Sequence, residues 1–378
     1  MDKRLLTFII WFLSMAFLFV GNRVAAGSIS TSVEGGHTFT VTPGIVTQIT
    51  ERLEQEQEIA PGISVTNTFV AFTVRVRGRG EVAAQQNLSD SLLTIEKEVE
   101  AGDRVLIFYD EMAGVYHFVD YVRINYIIVL ASVLFGLMIL FGGAKGVNSI
   151  VALGFTCMAI FLVLVPSVLS GRNIYATAII VCTYIIVSTL ALVVGPSKKA
   201  ASAMLGCLGG VFFAGLLMLF MDPVLTLTGV VDQESQFLLA LPPENAIELR
   251  PVVFAGVTIG AVGAIMDVAM SIASGLWEVS LVGGAASFGK IFRSGINIGK
   301  DILGTMLNTL ILAYIGSSLS LILLITFYAQ STSLMELFNR EAIVVEFLRA
   351  LVGSFGIFLT IPLTSAICGW LYAKGRMR

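Results

Sequence analysis

Asp267, Ser271, Ser274 and Glu278 stand at i, i+4, i+7 and i+11 in an apolar run. That spacing puts them on one face of a helix. The run itself, Pro251 to Leu276, meets the length needed to cross a bilayer. An aspartate near the middle of a spanning helix costs about 3 kcal/mol on insertion scales, and such residues usually face a bundle interior or a water-filled cavity. Two roles fit the pattern: a cation or proton site, or a carboxyl group hydrogen-bonded to neighbouring helices for packing. A second stripe opens the next apolar run, where Asp301, Thr305 and Asn308 lie at i, i+4 and i+7 with Thr309 beside them. Asp301 fits equally well as a residue favouring a helix N-terminus, because the helix is expected to begin there. Asn308 belongs more than a turn below the surface, where hydrogen bonding between helices also explains it. Two neighbouring spans with polar stripes are what a permeation or ion-coupled path requires, oxygen ligands replacing water around the translocated species.

Other chemistries lack their residues. Gly284-Ala285-Ala286-Ser287-Phe288-Gly289-Lys290 approaches a phosphate-binding loop, but Ile291 follows instead of Ser or Thr and no strand precedes it. Gly206 and Gly210, and Gly256 and Gly260, are small residues four apart and read as close helix packing. The only histidines, His37 and His117, fall outside the apolar runs, so no Ser/His/Asp set forms within them. An Asp267–Asp301 pair for intramembrane proteolysis is a third hypothesis, weakened by their different expected depths. The four cysteines, Cys157, Cys182, Cys207 and Cys368, all lie in apolar runs with no disulfide or zinc-finger spacing. An intramembrane metal site would have to use carboxylates, amides or thiols, which disfavours zinc or copper. The sequence assigns no cofactor and leaves any metal unknown.

The elements that must carry these residues follow from composition. Hydrophobic residues are 56% of the chain and charged ones 13%, where a soluble domain carries about 25% charged. The net charge of −3 gives no sign of a nucleic-acid partner. The expected architecture is an α-helical polytopic membrane protein, about 7–8 transmembrane helices, with an extracytoplasmic β-rich domain. Residues 1–26 form a signal-like segment or a first transmembrane helix, Leu5 to Val20 following Lys3 and Arg4, with Val24-Ala25-Ala26 a possible cleavage site. Residues 27–120 form the β-rich domain, a small barrel or sandwich. Val65 to Arg77 alternates with period two, Gly78-Arg79-Gly80 turns the chain, and Arg104 to Tyr109 gives a second strand. Glu51 to Glu58 is expected as a turn of helix or a loop. Residues 121–378 form the membrane domain, with spans at about 124–142, 147–169, 173–194, 200–221, 251–275, 302–328 and 344–373.

With the N-terminus cytoplasmic, inside loops hold Lys145, Lys198, Lys199, Lys290, Arg293, Lys300, Lys374, Arg376 and Arg378, in keeping with the positive-inside rule. Outside loops hold Asp222, Asp232, Glu234, Glu244, Glu248, Glu336 and Glu341, with Arg172, Arg250 and Arg340 as exceptions. Both termini are then expected in the cytoplasm, if the first segment is uncleaved, and residues 27–120 outside.

Asp120-Tyr121-Val122-Arg123, Gly142-Gly143-Ala144-Lys145-Gly146, Gly263 to Ser274 and Asn297 to Gly316 resemble the YibE/YibF family of bacterial multi-pass membrane proteins. The most specific pieces are Gly263 to Ser271, which contains Asp267, and Gly299 to Met306, which contains Asp301. The likeness runs from about residue 120 to the C-terminus and implies a cell-membrane protein, without supplying an activity. The expected function is a transporter or permease whose path between the 251–275 and 302–328 helices is linked to a cation or proton. A non-transporting scaffold or sensor is the runner-up, its β-domain binding an envelope partner. Expected partners are thus the lipid bilayer, a cation or proton, and an envelope component.

Overall fold

The computed structural model describes residues 3–26, 41–60, 63–89, 97–111, 113–239, 246–282, 287–329 and 333–373. His37, Glu244, Gly284 to Ala286, Lys374, Arg376 and Arg378 lie outside the described residues. The chain divides into two units, residues 31–137 and residues 1–30 with 138–378.

The first unit holds a closed five-stranded barrel of strands β1 (Val41–Ala60), β2 (Ile63–Val76), β3 (Gly80–Ser89), β4 (Arg104–Asp110) and β5 (Val115–Tyr121), in the order β1-β2-β3-β5-β4. All pairings are antiparallel except β3 with β5, an arrangement of the OB-fold type. The alternation read in the sequence is the barrel's inner face: Val70, Phe72, Val74 and Val76 are buried there with Val46, Ala84, Val105 and Ile107. Gly78 and Gly80 take positive φ at the β2–β3 turn, a conformation that side chains with a Cβ rarely adopt. Gln86 is buried with both ends satisfied, its amide donating to the Lys97 carbonyl and its carbonyl accepting from the Val99 N–H, each at 3.0 Å. Glu51 to Glu58 is neither helix nor loop: it continues β1, paired with Ser64 to Ala71 of β2.

In the second unit, α1 (Lys3–Ala26) packs Trp11 against Phe155 and stacks Phe17 on Tyr184. The helix α2 (Ile124–Ala159), whose residues up to Leu137 belong to the first unit, is broken at Gly143 by φ 54° and ψ −131°. Beyond the break it continues through a π-helical turn into α3 (Val165–Leu169). Then come α4 (Ile174–Val193), α5 (Lys198–Val224), α6 (Gln233–Leu239), α7 (Leu249–Val282), α8 (Phe288–Ser317), α9 (Leu319–Tyr328), α10 (Leu334–Phe338) and α11 (Glu341–Ala373). Asn173 and Ser197 cap α4 and α5, accepting from the N–H groups of Ala176 and Ala200, as expected for these residue types.

Six helical segments among the described residues are long and apolar enough to span a membrane: Ile124–Leu169, α4, α5, Leu249–Leu281, α8 and α11. The core lies where α5, α7 and α11 meet. A methyl group at Gly206 would fall 2.0 Å from Thr364 Oγ1, and one at Gly210 would fall 1.8 Å from Thr360 Oγ1. These glycines therefore let α11 approach α5 closely, as the spacing suggests. Across α7, Ile265, Val268, Ala269, Ile272, Ala273 and Leu276 are completely buried.

Candidate functional site: the polar face of α7 and α8

The buried side of α7 leaves a narrow opposite stripe. Gly256, Gly260, Gly263, Asp267, Ser271 and Glu278 are exposed along it, with Ser274 half-buried in the same row. The predicted Asp267 face is therefore real, and it points outward from the single chain instead of into the bundle. Asp267 sits near the middle of the 34-residue helix. Its carboxylate has no hydrogen bond or ion pair among the described residues, so the interhelical hydrogen bond of the packing alternative is not formed within the chain.

The helix α8 is amphipathic up to Leu310, beyond which exposed apolar residues follow. Ile291, Gly295, Gly299 and Leu310 are buried, while Asp301, Thr305 and Asn308 are exposed with Arg293 and Asn297 in line. A helix start at Asp301 is incorrect: α8 begins at Phe288, so Asp301 stands deep inside it and cannot act on its N-terminus. The sequence hid this because residues 288–300 carry too many polar groups to read as a span, and only their heptad-like apolar face marks them as helical. Thr305 Oγ1 donates back to the Ile302 carbonyl at 2.9 Å, whereas the Asp301 and Asn308 side chains make no hydrogen bond among the described residues.

Two close approaches fix the register. A methyl at Gly275 would lie 3.0 Å from Ile298 Cδ1, and one at Gly260 would lie 2.9 Å from the Tyr314 hydroxyl. The helices are thus antiparallel, with Asp267 level with Thr305 to Leu307 and Ser271 level with Ile302. The two stripes run beside each other along the outer edge of the α7–α8 contact. Asp301 is displaced from the level of Asp267 by about five residues, or about 7 Å along the axis, which separates the two carboxylates.

A charged group missed in the sequence lies at the far end. Within α11, Arg349 Nη1 donates to Glu346 Oε1 at 2.5 Å, both side chains largely buried, while Glu346 Oε2 is buried without a hydrogen-bond partner. Antiparallel packing of α8 on α11, set by Gly295 against Ser365 and Gly353 against Leu310, brings this pair level with Tyr314. The signal was present as an i, i+3 pair of opposite charge at the start of a long apolar run. Nearby, Glu341 accepts from the Thr228 N–H and hydroxyl at 2.8 and 2.7 Å and the Gly229 N–H at 2.6 Å, tying the loop after α5 to α11.

Among the described residues, no group of three His, Cys, Asp or Glu side chains is disposed to hold a metal ion. Cys182, Cys207 and Cys368 are buried and Cys157 is exposed, all as free thiols. Among the described residues the arrangement offers two carboxylates without an ion pair, Asp267 at mid-helix and Asp301 on α8, with the hydroxyl and amide oxygens of Ser271, Thr305 and Asn308 along the same stripes. It can take up and release a small positive charge.

The family described as YibE/F-like protein matches residues 130–374, well over half of the chain and all of both polar stripes. No curated protein and no solved structure matches the chain.

Proposed function

The chain belongs to the YibE/F-like proteins, and with that as premise we propose that it is a multi-pass transporter or permease of the cell membrane. Its path is the polar face of α7 and α8, and transport is linked to a cation or a proton at Asp267. The carrying observation is the Asp267 carboxylate, unpaired at mid-helix in a segment long enough to span a bilayer. Unpaired intramembrane carboxylates are costly and mark ion pathways and proton relays. Thr305 and Asn308 at its level, and Ser271 and Ser274 along its row, supply the oxygens that would replace water around the ion.

In this reading the barrel stands outside the cell and both termini inside. Of the residues read as inside-loop charges, Lys290, Arg293 and Lys300 lie within α8; Lys198 and Lys199 at the start of α5 and Lys145 beside the break in α2 support that orientation. Arg250, an exception on the outer side, is offset by its ion pair with Asp222 at 3.0 Å. The packing of α1 on Phe155 and Tyr184 favours a retained anchor over a cleaved leader.

The test is a cation and pH screen of melting temperature in detergent, on wild type and Asp267→Asn together. A ligand bound only by the folded state raises the melting temperature by mass action. A cation- or pH-specific shift in wild type that vanishes in Asp267→Asn is the expected result. Equal, cation-independent melting of both proteins removes the site and leaves the scaffold or sensor reading.

A further inference from the structure

The outward direction of the polar face needs a physical account. Hydrocarbon cannot solvate a carboxylate or an amide, and intramembrane polar groups are covered by protein or by a water-filled cavity. Among the described residues Asp267 is exposed and bonded to no other group. The glycines beside it tell the same story. Gly206 and Gly210 are filled by α11, but a methyl at Gly256 or Gly263 would meet no atom within 4 Å. The row on α5 admits a close neighbour at both glycines, whereas in the row on α7 only Gly260 meets one, the Tyr314 hydroxyl at its edge.

The charges on the face are self-complementary. Lys300 and Asp301 are adjacent and both exposed, and neither makes an ion pair among the described residues. A two-fold axis along the membrane normal preserves depth, so it sets Lys300 of one copy against Asp301 of the other, and the reverse, in an isologous contact. At the level above, the same axis faces the two Asn308 amides, and the glycine row of α7 leaves room for the backbones to approach. Neither a lipid nor an unrelated apolar helix supplies this reciprocal match.

We propose that the α7–α8 face is the interface between two copies of this chain, and that the ion path is complete only in that pair. The inference rests on the transport reading for what the path carries, but not for the interface itself. Its chemical consequence is definite. Two Asp267 carboxylates facing each other in a low-dielectric interface cannot both be ionised unless a positive charge lies between them. The pair therefore holds one shared proton or one cation, and binding changes the charge of the interface by one unit.

The test uses the full chain in membranes, with exposed Cys157 replaced by Ser and a single cysteine introduced in turn. Under mild oxidation Thr305→Cys and Gly263→Cys are expected to move most of the chain to a disulfide-linked species of twice 40.5 kDa. Phe358→Cys, on an exposed part of α11, is expected to stay single. Thr305→Cys replaces an exposed side chain, so it keeps the test sound if Gly263→Cys fails to fold. Failure of both folded variants to cross-link, with a monomeric mass in native mass spectrometry, overturns the interface. So does cross-linking to a species of any other mass.

The screen of Asp267→Asn, run on the same preparations, separates the two claims. A cross-linked dimer with no Asp267-dependent cation or pH response keeps the interface and removes transport. A monomer with that response keeps transport and removes the interface.

Discussion

Asp267 and Asp222 are both carboxylates on helices long enough to span a bilayer, and their surroundings differ in the way their proposed roles require. Asp222 is mostly buried and engages Arg250 through two hydrogen bonds, at 3.3 and 3.0 Å. Asp267 makes no hydrogen bond or ion pair among the described residues. Replacing Asp222 with Ala leaves a half-exposed guanidinium without its partner and should lower the melting temperature in detergent only slightly, because water reaches the freed group. Asp267→Asn removes no partner, so its melting temperature without added cation should stay close to that of wild type. A second titrating group lies just before α2. The backbone N–H of Tyr121 and the guanidinium of Arg123 hold the Asp120 carboxyl below its usual range. A carboxylate lowered in the folded state stabilises above its unfolded pKa, and that contribution is lost as pH falls through the folded value. Asp120→Asn should therefore flatten the loss of stability below about pH 4. The effect is small because the pair is exposed, and a pH series of melting curves on the two proteins reads it.

The helices differ in how they use glycine. A Cβ at Gly210 would strike Thr360 Oγ1 and press on the Gly356 carbonyl at 3.1 Å, whereas one at Gly154 in α2 meets nothing within 4 Å. Gly210→Ala should cost about 1–3 kcal/mol through overpacking, and Gly154→Ala should be neutral or slightly stabilising. Parallel melting curves check the pair. Gly206-x-x-x-Gly210 and Gly256-x-x-x-Gly260 look alike in the sequence, yet both glycines of the first pair meet another helix, whereas in the second only Gly260 does, against the Tyr314 hydroxyl. Periodicity fixes which residues share a face, not what covers that face. The same limit explains Asp267, whose stripe was legible from spacing alone while its outward direction was not. Glu51 to Glu58 was misread for a different reason: residues 51–55 of this β1 arm are all exposed, so the sequence there lacks the period of two that marks a strand with one buried face. β2 and β4, each with one face in the barrel core, carried that period plainly.

Over the whole molecule, the hydrophobic runs made the helices legible, and the breaks between them were less so. The Gly142-Gly143 pair was read as a division between two spans, and α2 is broken at that point, where Gly143 takes a positive φ. The run read as 302–328 is instead two helices, α8 ending at Ser317 and α9 starting at Leu319, because continuous hydropathy conceals a one-residue interruption. The proposed orientation makes a prediction at this scale. In a background with Cys157 replaced by Ser, a cysteine at the exposed Arg79 of the barrel should react with an impermeant maleimide on intact cells. One at Lys199 should react only after permeabilisation. The reverse pattern would invert the topology.

If Asp267 carries a positive charge across the membrane, cation or proton flux into proteoliposomes depends on its carboxylate, and wild type can be compared with an Asp267→Asn protein shown to be folded by its melting curve. Flux in wild type, driven by a cation or pH gradient, should fall to the level of empty liposomes in Asp267→Asn. Equal flux in the two proteins, or none in wild type under any imposed gradient, would contradict that role.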